Sequence, residues 1–226
     1  GAKLNAAVEK FLREAKFPYA IGYGLTESSP LLAGANAQYT RYQSTGPAYT
    51  GISLKINNPN PDTGEGEIWG KGPNVMIGYY KEPELTAEVL TPDGWLKTGD
   101  LGKIDKDGYL YILGRLKNVI IGASGKNIYP EEIEALINNY PLVSESLVVE
   151  RKGRLVALVQ LNMEELEMQI AELKSGLETR KQEILEEIRK YVNERVSQLS
   201  QIQSVIFQPT PFEKTATLKI KRYLYV

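Results

Sequence analysis

The stretch GYGLTESSP, residues 22–30, sets a hydroxyl and an acid, Thr26 and Glu27, directly after a Gly-Tyr-Gly turn. An acid there can hold a magnesium-bound phosphate. It can equally sit at a helix start, where a carboxylate suits the dipole. Asp100, in WLKTGDLG, offers a carboxylate able to accept from both hydroxyls of a vicinal diol such as a ribose. By itself, Thr-Gly-Asp is an ordinary turn. Arg115, in YILGRLKN, follows Gly114 and could reach a ribose or a phosphate, or be a surface arginine. GASGK, residues 122–126, is a glycine loop without the GxxxxGK[ST] spacing of a Walker loop. EKTATLKIKR, residues 213–222, carries four cations, and by composition alone the solvated, frayed terminus is the favoured reading.

Regular elements must hold these groups in place. LNAAVEKFLREA puts Leu4, Ala7, Val8, Phe11 and Leu12 on one helical face, the expected buried stripe. FPYAIGYG reads as a short strand ending in a glycine turn, and GISLKI alternates as a strand. NPNPDTGEG is a turn cluster, EIWGKGPNVMIGYY reads as further strand, and PELTAEVL reads as a short helix opened by Pro83. Asp107-Gly108 between apolar runs signals a hairpin. After Arg115 the order becomes strand, glycine loop, and a helix opened by Pro130 with Glu131 and Glu132 in its first turn. Two strands, LVSESLVVE and RLVALVQL, follow around RKG. Residues 164–199 form one long helix or a pair, with Leu166, Ile170, Leu173, Leu177, Ile184, Ile188 and Tyr191 as its stripe. SVIFQ is a last strand.

Composition narrows the chemistry. The 226 residues include no cysteine and no histidine, which removes disulfides, thiolate catalysis, zinc–thiolate sites and every His-dependent triad. Any metal is a hard, oxygen-liganded cation such as magnesium. With 27 Lys+Arg against 28 Asp+Glu, the net charge of −1 argues against a nucleic-acid binder. No apolar run approaches the roughly 20 residues of a membrane span, and no signal peptide is visible. The cytoplasm is the default location, with peripheral association at a membrane left open.

GYGLTE, GEIWGKGPNVMIGYY, GWLKTGD, YILGRLKNVIIGASGKNIYPEEIE and EKTATLKIKR occur in one fixed order. This series resembles the adenylate-forming enzymes, the acyl-CoA synthetase family, most of all its long-chain fatty-acid–CoA ligase branch. The resemblance runs along essentially the whole chain. It implies an α/β (α+β) fold: a C-terminal remnant of the large adenylation domain over 1–114, then a mobile α/β C-terminal lid over 115–226. Within the first part, 1–45 would be an orphaned helix and strand with the GYGLTE motif, and 46–114 a β-rich subdomain.

The resemblance also implies roles. Tyr23 stacks on adenine and Gly24 borders the nucleotide. Thr26 touches the α-phosphate, Glu27 helps hold Mg2+, and Asp100 and Arg115 contact the ribose. Lys117 is the hinge. Gly122 and Gly125 line the path of the coenzyme A thiol. Lys219 is the catalytic lysine, its cation offsetting repulsion between substrate carboxylate and phosphate. The implied cofactors are ATP/AMP, Mg2+ and coenzyme A, and the reaction runs from carboxylate and ATP to acyl-adenylate and then to thioester.

Two departures stand out. Leu218 occupies the place where the family usually has glycine before the lysine, so Lys214 and Lys221 are secondary candidates. The Ser/Thr/Gly-rich phosphate loop ending in Pro-Lys is absent from the sequence. The chain is therefore expected to be a fragment that is inactive alone, with its first 45 residues loose or paired with another chain, and with exposed apolar surface able to support a homodimer. The competing reading is a non-catalytic interaction module using helix 164–199 as a seam. Gly176 and Arg180-Lys181 interrupt that seam.

Overall fold

The computed structural model describes residues 4–122, 125–173 and 176–226. The chain divides into two compact units, Gly1–Lys117 and Asn118–Val226.

In the first unit, helix α1 (Ala6–Glu14) is capped by the Asn5 carboxamide, which accepts from the Ala7 and Val8 N–H groups. The expected apolar stripe is not what α1 buries. Val8 is 48% and Phe11 67% exposed, whereas Glu9 is fully buried. The Glu9 carboxylate accepts from the Tyr19 hydroxyl at 2.6 Å, the Gln43 N–H at 3.0 Å and the Gln43 side-chain amide at 2.6 Å. Three donors make burial of a charge tolerable.

Strands β1 (Ile21–Gly24) and β2 (Leu31–Ala35) pair antiparallel. Then β3 (Ser53–Asn57), β4 (Gly66–Lys71), β5 (Leu96–Ile104) and β6 (Leu110–Arg115) form an antiparallel meander in that spatial order. Helix α2 (Pro83–Val89) starts on Pro83. The run expected as strand over 67–80 stops at Lys71, because Gly72-Pro73 ends the ladder. Rather than lying loose, the β1–β2 pair packs onto the meander. Leu32 and Ala33 join Ile68 and Leu110 in one buried cluster, and Gly46 bridges Leu110.

In the second unit, β7 (Ile120–Ile121) and β8 (Asn127–Ile128) pair, and α3 (Pro130–Ile137) follows. Strands β9 (Val143–Arg151) and β10 (Arg154–Leu161) make a hairpin. Helices α4 (Met163–Leu173) and α5 (Leu177–Asn193) then cross over to β11 (Ser204–Phe207), which pairs parallel to β10.

Both faces of this sheet are covered. Val148, Ala157, Val159 and Leu161 face Ile133, Leu166, Ile184 and Ile188 of the helices. Leu147, Val149, Val156 and Leu158 face Phe212, Ile220 and Tyr225 of the C-terminal tail. That double burial is why β10 reads as a continuous apolar run. The stripe offered as a partner seam is spent here. Leu166, Ile184 and Ile188 are fully or almost fully buried, and Leu177 and Tyr191 pack against them. The side chains of Ile170 and Leu173 lie outside the described residues.

Removing the Glu9 carboxylate strands its three donors. Glu9→Ala should lower stability by about 3 kcal/mol in urea unfolding, with Glu9→Gln costing less.

Candidate functional site

The site in the first unit is built around an irregularity in β5. Glu67 pairs with Leu101 and Trp69 with Lys97, so Thr98, Gly99 and Asp100 together oppose only Ile68. Gly99 absorbs the surplus with φ +68°, a left-handed conformation that glycine adopts at little cost. The Thr98 hydroxyl donates to the Ile68 carbonyl at 2.7 Å and accepts the Asp100 N–H at 3.1 Å. Glu67 accepts the Gly99 N–H at 3.2 Å.

This bulge fixes the direction of the Asp100 side chain, which is 8% exposed. Its Oδ2 accepts from the Tyr23 hydroxyl at 2.7 Å, and its Oδ1 lies 2.9 Å from Arg115 Nε. Asp100 and Arg115 are register partners across β5 and β6, and Arg115 also donates to the Thr98 carbonyl at 3.2 Å. Three of the residues singled out in the sequence thus form one connected group. The Tyr23 ring lies in the core cluster, and burial first, then the Asp100 charge, pushes its hydroxyl well above the usual tyrosine range.

Directly after β1, Thr26–Ser28 form a 3₁₀ turn. Gly24 can only be glycine: a Cβ there would sit 1.7 Å from the Pro30 carbonyl oxygen. The buried Ser28 hydroxyl accepts the Leu25 N–H at 3.0 Å and lies 2.8 Å from the Pro30 oxygen. Thr26 is exposed. Glu27 is half-buried and held by the loop after β4. Its carbonyl accepts the Met76 N–H at 2.8 Å, and its Oε1 accepts the Tyr79 hydroxyl at 2.8 Å. That bond raises Tyr79 above the ordinary tyrosine value. Asn74 donates to the Ser28 and Leu31 carbonyls at 2.5 and 2.7 Å.

Among the described residues no group of three or more carboxylates gathers to cage a metal. A single oriented carboxylate suits Mg2+, which keeps several waters and uses one or two carboxylates plus substrate phosphates. Glu27 fits that requirement.

In the second unit, the tail forms a small hairpin in which Lys214 bridges Ile220. The Thr215 N–H donates to the Lys219 carbonyl at 2.8 Å, and the Leu218 N–H to the Thr215 carbonyl at 2.9 Å. Leu218 adopts φ +61° and is 78% exposed. The position where the resemblance implies glycine is therefore a left-handed one, which a leucine fills under strain. Lys214 pairs with Glu145 at 3.0 Å and Lys221 with Glu213 at 3.4 Å. Among the described residues the Lys219 ammonium has no such partner, and the residue is exposed.

Gly122 and Gly125 close the turn between β7 and β8. The Gly125 N–H donates to the Gly122 carbonyl at 2.8 Å and Gly125 has φ +74°, while Ala123 and Ser124 lie outside the described residues. Lys117 is exposed in the 3₁₀ turn Leu116–Asn118, where the two units divide. Tyr79, Asn74 and Thr98 were not singled out in the sequence. Only the GYY of the second motif hinted at Tyr79.

Residues 1–80 match the family described as AMP-binding enzyme. Over 98% of its length the chain is 36% identical to a 4-coumarate–CoA ligase-like protein of Oryza sativa subsp. japonica, covering 40% of that protein. It is 33% identical, again over 98%, to a long-chain-fatty-acid–CoA ligase of Mycobacterium bovis, covering 38% of it. The chain thus spans about two fifths of the length of these curated relatives. Over 65% of its length it is 41% identical to a 2-succinylbenzoate–CoA ligase of Bacillus cytotoxicus, covering 30% of that protein. Among solved structures, the O-succinylbenzoate coenzyme A synthetase of Bacillus subtilis in complex with AMP superposes with a TM-score of 0.81 at 27% identity. That match covers all of this chain and 44% of the other. The same synthetase in complex with ATP and magnesium ion gives 0.79 at 28% identity, covering 99% and 44%.

Leu218→Gly should relieve the left-handed strain and raise the unfolding free energy of the second unit by about 1 kcal/mol, read from its denaturation midpoint.

Proposed function

We propose that this chain, which belongs to the adenylate-forming family of AMP-binding enzymes, carries the nucleotide-gripping groups and the catalytic lysine of an AMP-forming CoA ligase. The observation that carries the reading is the Tyr23–Asp100–Arg115 group. It presents one carboxylate in a single orientation, held by a phenol and a guanidinium. A pre-oriented carboxylate is what a vicinal diol requires, and it needs no rearrangement when the ligand arrives.

Each residue then has a task. Asp100 accepts from the ribose hydroxyls and Arg115 supports it while contacting the same sugar. Tyr23 borders the adenine, with Gly24 leaving room for the backbone to approach. Thr26 donates to the α-phosphate. Glu27, steadied by Tyr79, would help hold a magnesium ion, whose charge would offset that of the phosphates. Lys219 brings a cation to the point where an attacking carboxylate meets the α-phosphate, two groups that otherwise repel. Lys117 serves as the hinge, and Gly122 and Gly125 border the path of the coenzyme A thiol. The substrate proposed is a long-chain fatty acid, the branch that the motif series resembles most. The relatives also include ligases named for 4-coumarate and 2-succinylbenzoate, so the acid must be decided by a panel.

Two measurements test this. Calorimetry with AMP on the 226-residue chain should detect binding that Asp100→Asn weakens about tenfold to a hundredfold, the loss of charge-assisted hydrogen bonds. Equal affinity in both proteins would remove Asp100 from the site. ATP–pyrophosphate exchange should be absent from this chain, which has no Ser/Thr/Gly-rich phosphate loop. It should appear in a longer protein that contains the chain, with long-chain fatty acids ahead of 4-coumarate and 2-succinylbenzoate. There Lys219→Ala should abolish adenylation while sparing thioester formation from a supplied acyl-adenylate. Equal loss in both steps would count against the lysine's assignment.

A further inference from the structure

The hairpin that presents Lys219 is tied to the sheet by a buried ion pair outside the motifs' assigned roles. Strand β9 is an edge strand of the β11–β10–β9 sheet. An edge exposes unpaired N–H and C=O groups that must find partners. At Val148 both are taken. The N–H donates to Glu134 Oε1 of α3 at 2.6 Å, and the carbonyl accepts from Arg222 NH1 of the tail at 3.0 Å. Arg222 NH2 closes the ring by pairing with the same Glu134 oxygen. The side chains of Glu134 and Arg222 are only 13% and 19% exposed.

Arg222 lies three residues beyond Lys219, at the foot of the hairpin. The other tail contacts reach β9 as well: Lys214 to Glu145 at 3.0 Å and Arg151 to the Tyr225 carbonyl at 3.0 Å. Those two are exposed or half-exposed, and pairs of that kind contribute little. A buried pair is different, since removing one partner leaves the other charge buried alone.

We propose that Glu134 and Arg222 are positioning residues for Lys219, forming a latch that seats the foot of the lysine hairpin on the edge of β9. The inference rests on the assignment of Lys219 to the reaction. The geometry alone makes the latch selective for Arg over Lys, because one ammonium cannot serve both the Val148 carbonyl and the Glu134 carboxylate in this forked arrangement. It tolerates Gln at 134, whose amide oxygen can still accept from Val148 and Arg222.

Protonation supplies a second signature. The groups that face the Glu134 carboxyl are Arg222 of the tail, the Val148 N–H of β9, and Glu131 one turn earlier on α3. Burial pushes the carboxyl up to about 7 against the pull of Arg222. A seated carboxyl therefore holds its proton more tightly than a released one. By linkage, raising the pH from about 4.5 to about 7 favours release, and lowering it over that range favours the seated state.

The test is amide hydrogen exchange of this chain by NMR, corrected for intrinsic rates. Arg222→Met, Arg222→Lys and Glu134→Ala should each speed exchange at Thr215, Leu218, Lys219 and Lys221 at least tenfold. The β9–β10 ladder amides should stay within about twofold. The double variant Glu134→Ala/Arg222→Met should exchange no faster than either single one, and Glu134→Gln should retain protection. Protection in the unaltered chain should fall as pH rises from about 4.5 to about 7, level off above that, and be flat throughout in Glu134→Gln. Unchanged hairpin exchange, additive effects, or a parallel rise across the whole second unit would overturn the proposal. None of these readouts needs catalysis, so failure of the latch is separable from failure of the Lys219→Ala prediction.

Discussion

Opposite Ile68, strand β5 places three residues where its neighbour β4 places one, and left-handed Gly99 takes up the surplus. The placement of Asp100 depends on that mismatch. A regular ladder would alternate Thr98 and Asp100 onto one face in step with their neighbours. The bulge instead turns the Asp100 carboxylate onto Tyr23 and Arg115. Tyr23 comes from β1 and Arg115 from the end of β6, so one carboxylate links the β1–β2 pair to the meander. The same local geometry that aims the Asp100 carboxylate thereby helps hold the two sheets together. Thr98 makes this possible by satisfying the backbone on both sides of the bulge.

The second unit solves a different problem. It carries an exposed lysine, Lys219, and holds the segment around it in place. The tail does so by burying Phe212, Ile220 and Tyr225 against the face of the sheet that the helices leave open. Apolar burial sets the tail's position on the face, and the Glu134–Arg222 pair sets it along the edge. Between these anchors the turn from Thr215 to Lys219 projects into solvent. Leu218 takes the left-handed turn position at a cost in strain that the anchors sustain.

Much of this arrangement was legible in the sequence because it rests on short-range chemistry. Pro83 and Pro130 open helices where their fixed φ suits the first turn. Asp105 organises the turn before Tyr109, and the 152–153 turn joins two strands whose middle residues are buried on both faces. The candidate residues Tyr23, Asp100 and Arg115 could be named from their motifs, although nothing local says that they touch. The β2 strand and the end of β4 at Lys71 were not foreseen. The first, Leu-Leu-Ala-Gly-Ala, has no polar–apolar alternation, and the second follows from Gly72-Pro73 inside an apolar stretch.

What the sequence by itself determined is the set of groups and the local turns: an acid after Gly-Tyr-Gly, a carboxylate after Thr-Gly, a lysine in a basic tail, and no thiol or imidazole to compete with them. What only the tertiary structure decided is which groups meet. Tyr79 reaches Glu27 across 52 residues, Tyr23 reaches Asp100 across 77, and Arg222 reaches Glu134 across 88. Helix α1 shows the same division most plainly. Its apolar stripe predicts one buried face, yet the chain buries Glu9, because donors 10 and 34 residues away converge on that carboxylate. Periodicity reports what a segment could bury, but the partners that satisfy a polar group arrive from distant segments, and folding alone brings them together.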